Sequence, residues 1–474
     1  MINDFVNAAN GLLWGQILVP LLLIAGVWFT VRLRAIQFRH FGHMFSVMKN
    51  SRKSDGHGIS SFQALCTSLA ARVGTGNLMG VAVAISIGGP GAIFWMWVIA
   101  LIGMATAFAE STLGQLYKET NRNGDYRGGP AYYMLKGLKS PALALLFSIC
   151  LFIGYGMIFS APQANSIAEA FNYSYGVDTM ITGVVLTIFA AIIVLGGMKK
   201  IARFSEMVVP FMGVAYLLVA TFVILMNIGE IPSILLNIFE SAFGLREAGG
   251  GMIGIAMMQG IKRGLYSNEA GMGSVPHAAA AATPYPPHPA SQGYVQMLGV
   301  FFDTIVLCTC TAMIILLSGI ELGQENFGIA LTQQALENQV GSWGRDFIAV
   351  AIFFFGFTSM VANYAYAENA LPFIKMNNKI GRLVFLAVFL GMIFYGSIAT
   401  LGEVINLADL AMALMTIVNV VAIGLLTKQL VILAKDYNSH IDKGDVPRFI
   451  ASKEQEQEMN LTPNIWSKEN TELK

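Results

Sequence analysis

The chain has 474 residues, of which 55% are hydrophobic and 12% charged, with a net charge of +1 and a mean hydropathy of +0.61. Soluble domains carry roughly 25% charged residues, so a soluble enzyme is excluded. So small a net charge gives no footing for nucleic acid or for acidic partners.

A membrane crossing takes about 20 mostly apolar residues. In chain order the candidate stretches are 13–33, 62–87, 91–117, 142–170, 179–197, 204–227, 250–282, 291–318, 346–371, 381–401 and 407–433, eleven spans in all. The first follows MINDFVNAAN, which has no positively charged leader, and is expected to be retained. Cys66, Cys150, Cys308 and Cys310 all fall inside apolar stretches, which argues against disulfides. From residue 434 the chain turns polar, and SKEQEQEMN predicts a solvated or disordered tail.

Lys and Arg gather on the cytoplasmic side of a membrane protein. With the N-terminus outside, the inner connections hold Arg32, Arg34, Arg39, Lys49, Arg52 and Lys53, then Lys118, Arg122, Arg127, Lys136 and Lys139, then Lys199, Lys200 and Arg203, then Lys375, Lys379 and Arg382. The outer loops hold only Arg246 and Arg345. The asymmetry predicts an N-terminus outside and a C-terminus inside.

Ten spans follow the first. An odd-numbered half of five inverts its own topology, so the expected fold is an all-α polytopic membrane protein built as a 5+5 inverted repeat with one extra N-terminal helix. The boundaries are an extra helix at 1–34, a basic cytoplasmic connection at 35–61, repeats at 62–227 and 250–433, an extracellular connection at 228–249 and a cytoplasmic tail at 434–474. Carriers of this design open each half with a discontinuous helix. Span two carries RVGTGN and span seven carries GLYSNEAGMGSVP, residues 264–276. Backbone bared in hydrocarbon costs several kcal/mol per group and survives only inside protein or along a cavity. There, free N–H groups attract a carboxylate, and free carbonyls coordinate a dehydrated cation.

The stretches VGTGNLMGVAVAISIGGPGAIFWMW, GMATAFAESTLGQLYKE, RGGPAYYM and SNEAGMGSVPHAAAAA carry a resemblance that covers nearly the whole chain. They resemble the alanine or glycine:cation symporter family. The resemblance implies a LeuT-like fold and an importer of small neutral amino acids with Na⁺ as coupling ion, set in a bacterial cell membrane, the inner membrane of a Gram-negative cell. It implies no organic cofactor. Its partners would be a small-molecule substrate and the lipid bilayer, with no nucleic acid and no obligatory protein. VGTGN is similar to the unwound motif of neurotransmitter:sodium symporters. That similarity implies that Gly74, Thr75 and Gly76 offer N–H groups to the substrate carboxylate. Asn77 and the Arg72 carbonyl would hold one cation; the carbonyls of Ala70 and Val73 with the hydroxyls of Thr358 and Ser359 would hold another. The substrate ammonium would meet carbonyls around Ser267 and Gly271.

In YGMIFSAPQANS, Gln163 follows Pro162 and is a candidate substrate ligand, with Phe159 one turn earlier as a pocket wall. Intramembrane charge is costly and points to function by default. Glu110, Glu269, Asp303 and Glu368 are the acids singled out. A salt bridge of Arg72 or Arg263 with Glu269 or Glu110 is expected, as a gate or as a brace. His277 and His288 are expected to be surface residues of a cytoplasmic loop. No catalytic constellation is visible. The main alternative is an H⁺-coupled carrier using Glu269 or Glu110; a channel or a non-transporting sensor are the readings from other classes.

Overall fold

The computed structural model describes residues 2–468 apart from 50, 53, 56, 122, 123, 196, 246–249 and 323–326. Lys53, Arg122 and Arg246 of the charge argument therefore lie outside the described residues, as do residues 469–474.

Among the described residues, eight helices are long and apolar enough to cross a membrane. They are nine if the bent pair Ser61–Arg72 and Gly76–Gly88 is one span. The other expected spans fall on the 16-residue helix Thr179–Val194 and on Gly250–Asn268 followed by Pro276–Ala281. Ile181, Ile192, Phe211 and Leu218 stand more than half exposed. So many bare apolar side chains suit lipid, not water.

Local chemistry sets the helix starts. Ser60 and Gln63 form a reciprocal capping box ahead of Ser61–Arg72. Asp178 caps Thr179–Val194, and Asn378 caps Lys379–Ile398. The first broken helix packs against Ser342–Glu368 and Gly197–Met226, and Gly250–Asn268 packs against Gly91–Leu116. Both broken helices thus run through the centre of the bundle.

Four π-turns widen the helices among the described residues: Leu13–Leu18, Gly76–Gly80, Gly154–Ile158 and Phe301–Cys308. Such turns mark functional positions in helices, and the last three surround the same central point. One end of the bundle carries Lys118, Lys199 and Arg382 and is called the basic end below.

The stretch SKEQEQEMN is solvated as expected, with no buried residue in its helix, but its flanks are docked. Residues 427–443 and 453–458 are helical, and Tyr437, Leu461 and Trp466 are buried. The polar average of the segment hides a few aromatic and aliphatic side chains that dock on the basic end.

Candidate functional site

The first helix stops at Arg72. Val73 leaves helical geometry at φ −75°, ψ 82°, and the chain restarts at Gly76 with a 51° bend. The break satisfies its own polar groups. Asn77 Oδ1 accepts from the Gly74 N–H at 3.0 Å, and Gln163 Oε1 accepts from the Thr75 N–H at 3.0 Å. Glycine is required sterically here. A Cβ on Gly74 would land on Ser359 Oγ, and one on Gly76 would stand 3.0 Å from Ser267 Cα. The two breaks meet at that last contact.

The second break runs from Glu269 to Val275. It turns through three left-handed residues, Glu269 (φ 58°), Gly271 (φ 91°) and Gly273 (φ 85°). A Glu there is strained, whereas glycine adopts this region freely. Glu110 braces the loop: its carboxylate accepts from the N–H groups of Gly271 and Gly273, each at 3.1 Å, and from Asn419 Nδ2 at 2.8 Å. Asn419 also donates to the Gly271 carbonyl at 2.9 Å.

Asp303 ties the breaks together. It is fully buried. Its Oδ1 accepts from Asn77 Nδ2 at 2.8 Å, and its Oδ2 accepts from Ser267 Oγ at 2.7 Å and from Thr304 Oγ1 at 2.8 Å. The Ser359 hydroxyl reaches the Ala70 carbonyl at 2.8 Å, across from its own helix. It also back-bonds to Phe355 O at 2.9 Å. Thr358 bonds only back to Phe354 and Phe355, among the described residues.

Beside the first break lies a cavity of ≈ 10 Å³, lined by Arg72, Gly76, Phe159, Gln163 and Glu269, and also by Ala71, Tyr155, Tyr266, Met272 and Asn363. That is about the space one water occupies. The structure thus brings together Arg72, Gly74, Thr75, Gly76, Asn77, Phe159, Gln163, Ser267, Glu269 and Ser359. Gly271 stands apart: its flank faces Thr106 and Val420, and Met272 faces the cavity instead.

The expected salt bridges do not form. Arg263 Nη2 pairs with Asp409 Oδ2 at 2.7 Å, and Lys262 Nζ reaches the same oxygen at 2.7 Å. Arg263 is on the helix that ends at Asn268, whereas Glu269 stands beyond it in the left-handed turn and bonds Ser274 Oγ at 2.7 Å. Glu110 is occupied by backbone donors. Arg72 is 1% exposed; its Nη1 donates to the Gln296 carbonyl at 3.2 Å, and it has no ion pair among the described residues. Glu368 pairs with Arg382 at 2.6 Å near the basic end.

The histidines are also corrected. His277 is 1% and His288 0% exposed. His277 Nδ1 lies 2.8 Å from the Gly128 carbonyl, and His288 Nε2 lies 3.2 Å from Asp436 Oδ2. The alanine-rich loop between them is folded back under the helices instead of hanging in solvent. Sequence reasoning missed Asp409, Tyr155, Tyr266 and Asn363, and it could not place Asp303. The one available signal was an acid inside an apolar run, which Asp409 also gave in NLADLAM.

A family model described as the sodium:alanine symporter family matches residues 1–451. The chain belongs to that family. It is 45% identical over 450 residues to a Bacillus subtilis (strain 168) protein named probable sodium/glutamine symporter GlnT, covering 95% of this chain and 93% of that one. It is 38% identical over 444 residues to the sodium/alanine symporter AgcS of Methanococcus maripaludis, covering 92% and 97%. Among solved structures it matches MhsT in complex with L-phenylalanine, with a TM-score of 0.54 and 13% identity, covering 86% of this chain and 94% of that one. At that identity the likeness shows the fold, which is LeuT-like. The protein is a multi-pass membrane transporter and not an enzyme.

Proposed function

We propose that this carrier imports alanine or glycine together with Na⁺ by alternating access, through eleven crossings with the N-terminus outside and the basic end in the cytoplasm. The observation that carries the reading is the pair of opposed helix breaks joined through Asn77, Asp303 and Ser267.

Gln163 Oε1 sits on the Thr75 N–H where a substrate carboxylate oxygen would bond. On binding, the carboxylate takes that N–H and the one at Gly76, and Gln163 turns to hold its other oxygen. The ammonium meets the Ser267 carbonyl and Glu269. A first Na⁺ draws on Asn77 Oδ1 and the Arg72 carbonyl, which both face the Gly74 N–H, while Asp303, bonded in turn to Ser267, holds the Asn77 amide from its other side. Carbonyl oxygens suit a hard cation. A second Na⁺ sits between Ala70, Val73, Thr358 and Ser359, where the Ser359 hydroxyl and Ala70 carbonyl already converge. The choice of a small neutral amino acid rests on the family to which the chain belongs. Each ligand shifts the carrier only by binding one state better than the other.

Uptake of labelled alanine and glycine into proteoliposomes tests this. Accumulation driven by an inward Na⁺ gradient supports it. Accumulation on a proton gradient without Na⁺ would overturn Na⁺ coupling and move the coupling step to Glu269. Uptake of glutamine in preference to both would overturn the substrate.

A further inference from the structure

We propose that the C-terminal segment 449–466 is a strap, and that Trp466 is a positioning residue that holds the inner ends of the two broken helices together. The proposal rests on the alternating-access reading above.

The inner ends meet at one strip of backbone. The Ile59 N–H donates to the Ala281 carbonyl at 2.9 Å, and the Thr283 N–H returns to the Ile59 carbonyl at 2.8 Å. Ile59 stands two residues before the first broken helix, and Ala281 ends the second. Gln115 Nε2 donates to the carbonyls of Ala279 at 2.6 Å and Ala282 at 2.7 Å. Lys118 Nζ adds a bond to the Ala282 carbonyl at 3.2 Å. Beside the strip opens a vestibule of ≈ 400 Å³, lined by Ile59, Tyr126, His277 and Ala281 among others. Ile59 and Ala281 of the strip line that vestibule, so parting of the strip would widen it toward the inner ends of both broken helices.

The strap closes over Lys118. Lys118 Nζ lies 3.9 Å from the centre of the Tyr126 ring and 5.0 Å from that of Trp466. Trp466 is 2% exposed, and its indole N–H donates to the Leu116 carbonyl at 3.1 Å. Thr462 Oγ1 donates to the Lys118 carbonyl at 2.8 Å and accepts from Lys136 Nζ at 2.6 Å. The other end of the strap is pinned where the Phe449 N–H donates to the Pro287 carbonyl at 3.0 Å. The Phe449 ring meets Trp466 edge-on, with centres 5.7 Å apart.

These contacts bind the strap to the arrangement in which the strip is joined. A contact made in one state alone shifts the population toward that state. Removing the strap therefore opens the inner side.

The test uses the full-length carrier with Ala281→Cys as a reporter in the vestibule, labelled by a membrane-impermeant maleimide applied from the basic side. Trp466→Ala, and separately a chain ending at Arg448, are compared with Trp466→Phe. Loss of one indole contact and its hydrogen bond is expected to raise the labelling rate about fivefold. The truncated chain should rise at least as far, and Trp466→Phe should fall between it and the parent. Labelling is read without amino acid or Na⁺, so it does not depend on which substrate is carried. Equal labelling rates in parent, Trp466→Ala and truncated chain, each monodisperse in detergent, would overturn the strap. Absence of any alanine or glycine uptake by the parent would overturn the proposed function and leave the labelling result standing.

Discussion

The two helix breaks do the same topological job with opposite chemistry. The first is short, turns through ordinary backbone angles, and closes its amides with neutral side-chain oxygens from Asn77 and Gln163. The second is long and left-handed, and both oxygens of one buried acid, Glu110, grip its backbone. A neutral amide oxygen is a weak hold that a substrate or an ion can replace. A buried carboxyl group that takes two N–H groups and an amide at once is a strong one, since three hydrogen bonds must break together before the loop can move. The difference assigns exchange of partners to the first break and rigidity to the second.

Substitutions at the meeting point should do the most damage. Gly76→Ala puts a methyl group 3.0 Å from Ser267 Cα, a backbone atom that cannot step aside. Overpacking costs about 1–3 kcal/mol, enough to cut uptake about tenfold or more with expression retained. Wild-type uptake by this variant would show that the breaks need not touch. Asn77→Ala is as severe. It strips one hydrogen bond from Gly74 and one from Asp303, and it should abolish Na⁺-dependent uptake in a folded protein. Retained Na⁺ dependence would remove Asn77 from the cation site.

Glu110→Gln probes the other side of the comparison. Gln offers one oxygen where two are used, so one buried N–H loses its partner at a cost of about 1–3 kcal/mol. The thermal midpoint in detergent should fall, while the Na⁺ concentration for half-maximal uptake stays near that of the parent. A changed Na⁺ response with an unchanged midpoint would mean that the second break, too, exchanges partners. Ser359→Ala is gentler. It removes the hydroxyl that reaches Ala70, and half-maximal Na⁺ should rise about fivefold, as one hydrogen bond of about 1 kcal/mol implies.

The location of both breaks was legible because clustered glycines beside polar residues weaken a helix exactly where hydrocarbon penalises bare backbone. The partners were not. Asp303 and Asn77 are 226 positions apart and Arg263 and Asp409 are 146 apart, and no periodicity reports which distant face meets which. Arg263 and Glu269 looked paired only because they are near in sequence. The helical frame followed from hydropathy and length, whereas the docked tail was hidden by averaging, since Tyr437 and Trp466 sit among charged residues.

The smallest expected effect lies where the second broken helix ends. Lys118 holds the Ala282 carbonyl, and burial pushes its ammonium down from 10.5 to about 7. An unfolded chain keeps that proton up to its ordinary value, so between about pH 7 and 10.5 the unfolded state binds more protons than the folded one. Stability therefore rises with pH across that window, by this group alone, and is flat below it. Lys118→Met has no proton to lose there. Between pH 7 and pH 9 the thermal midpoint of the parent should gain on that of Lys118→Met by about 2 °C, a modest shift for a chain of this length. A gap that does not change between pH 7 and pH 9 would mean that the ammonium stays charged under the Tyr126 and Trp466 rings. The inner end of the second broken helix would then be held by a charge, whereas its break is held by the hydrogen bonds of Glu110.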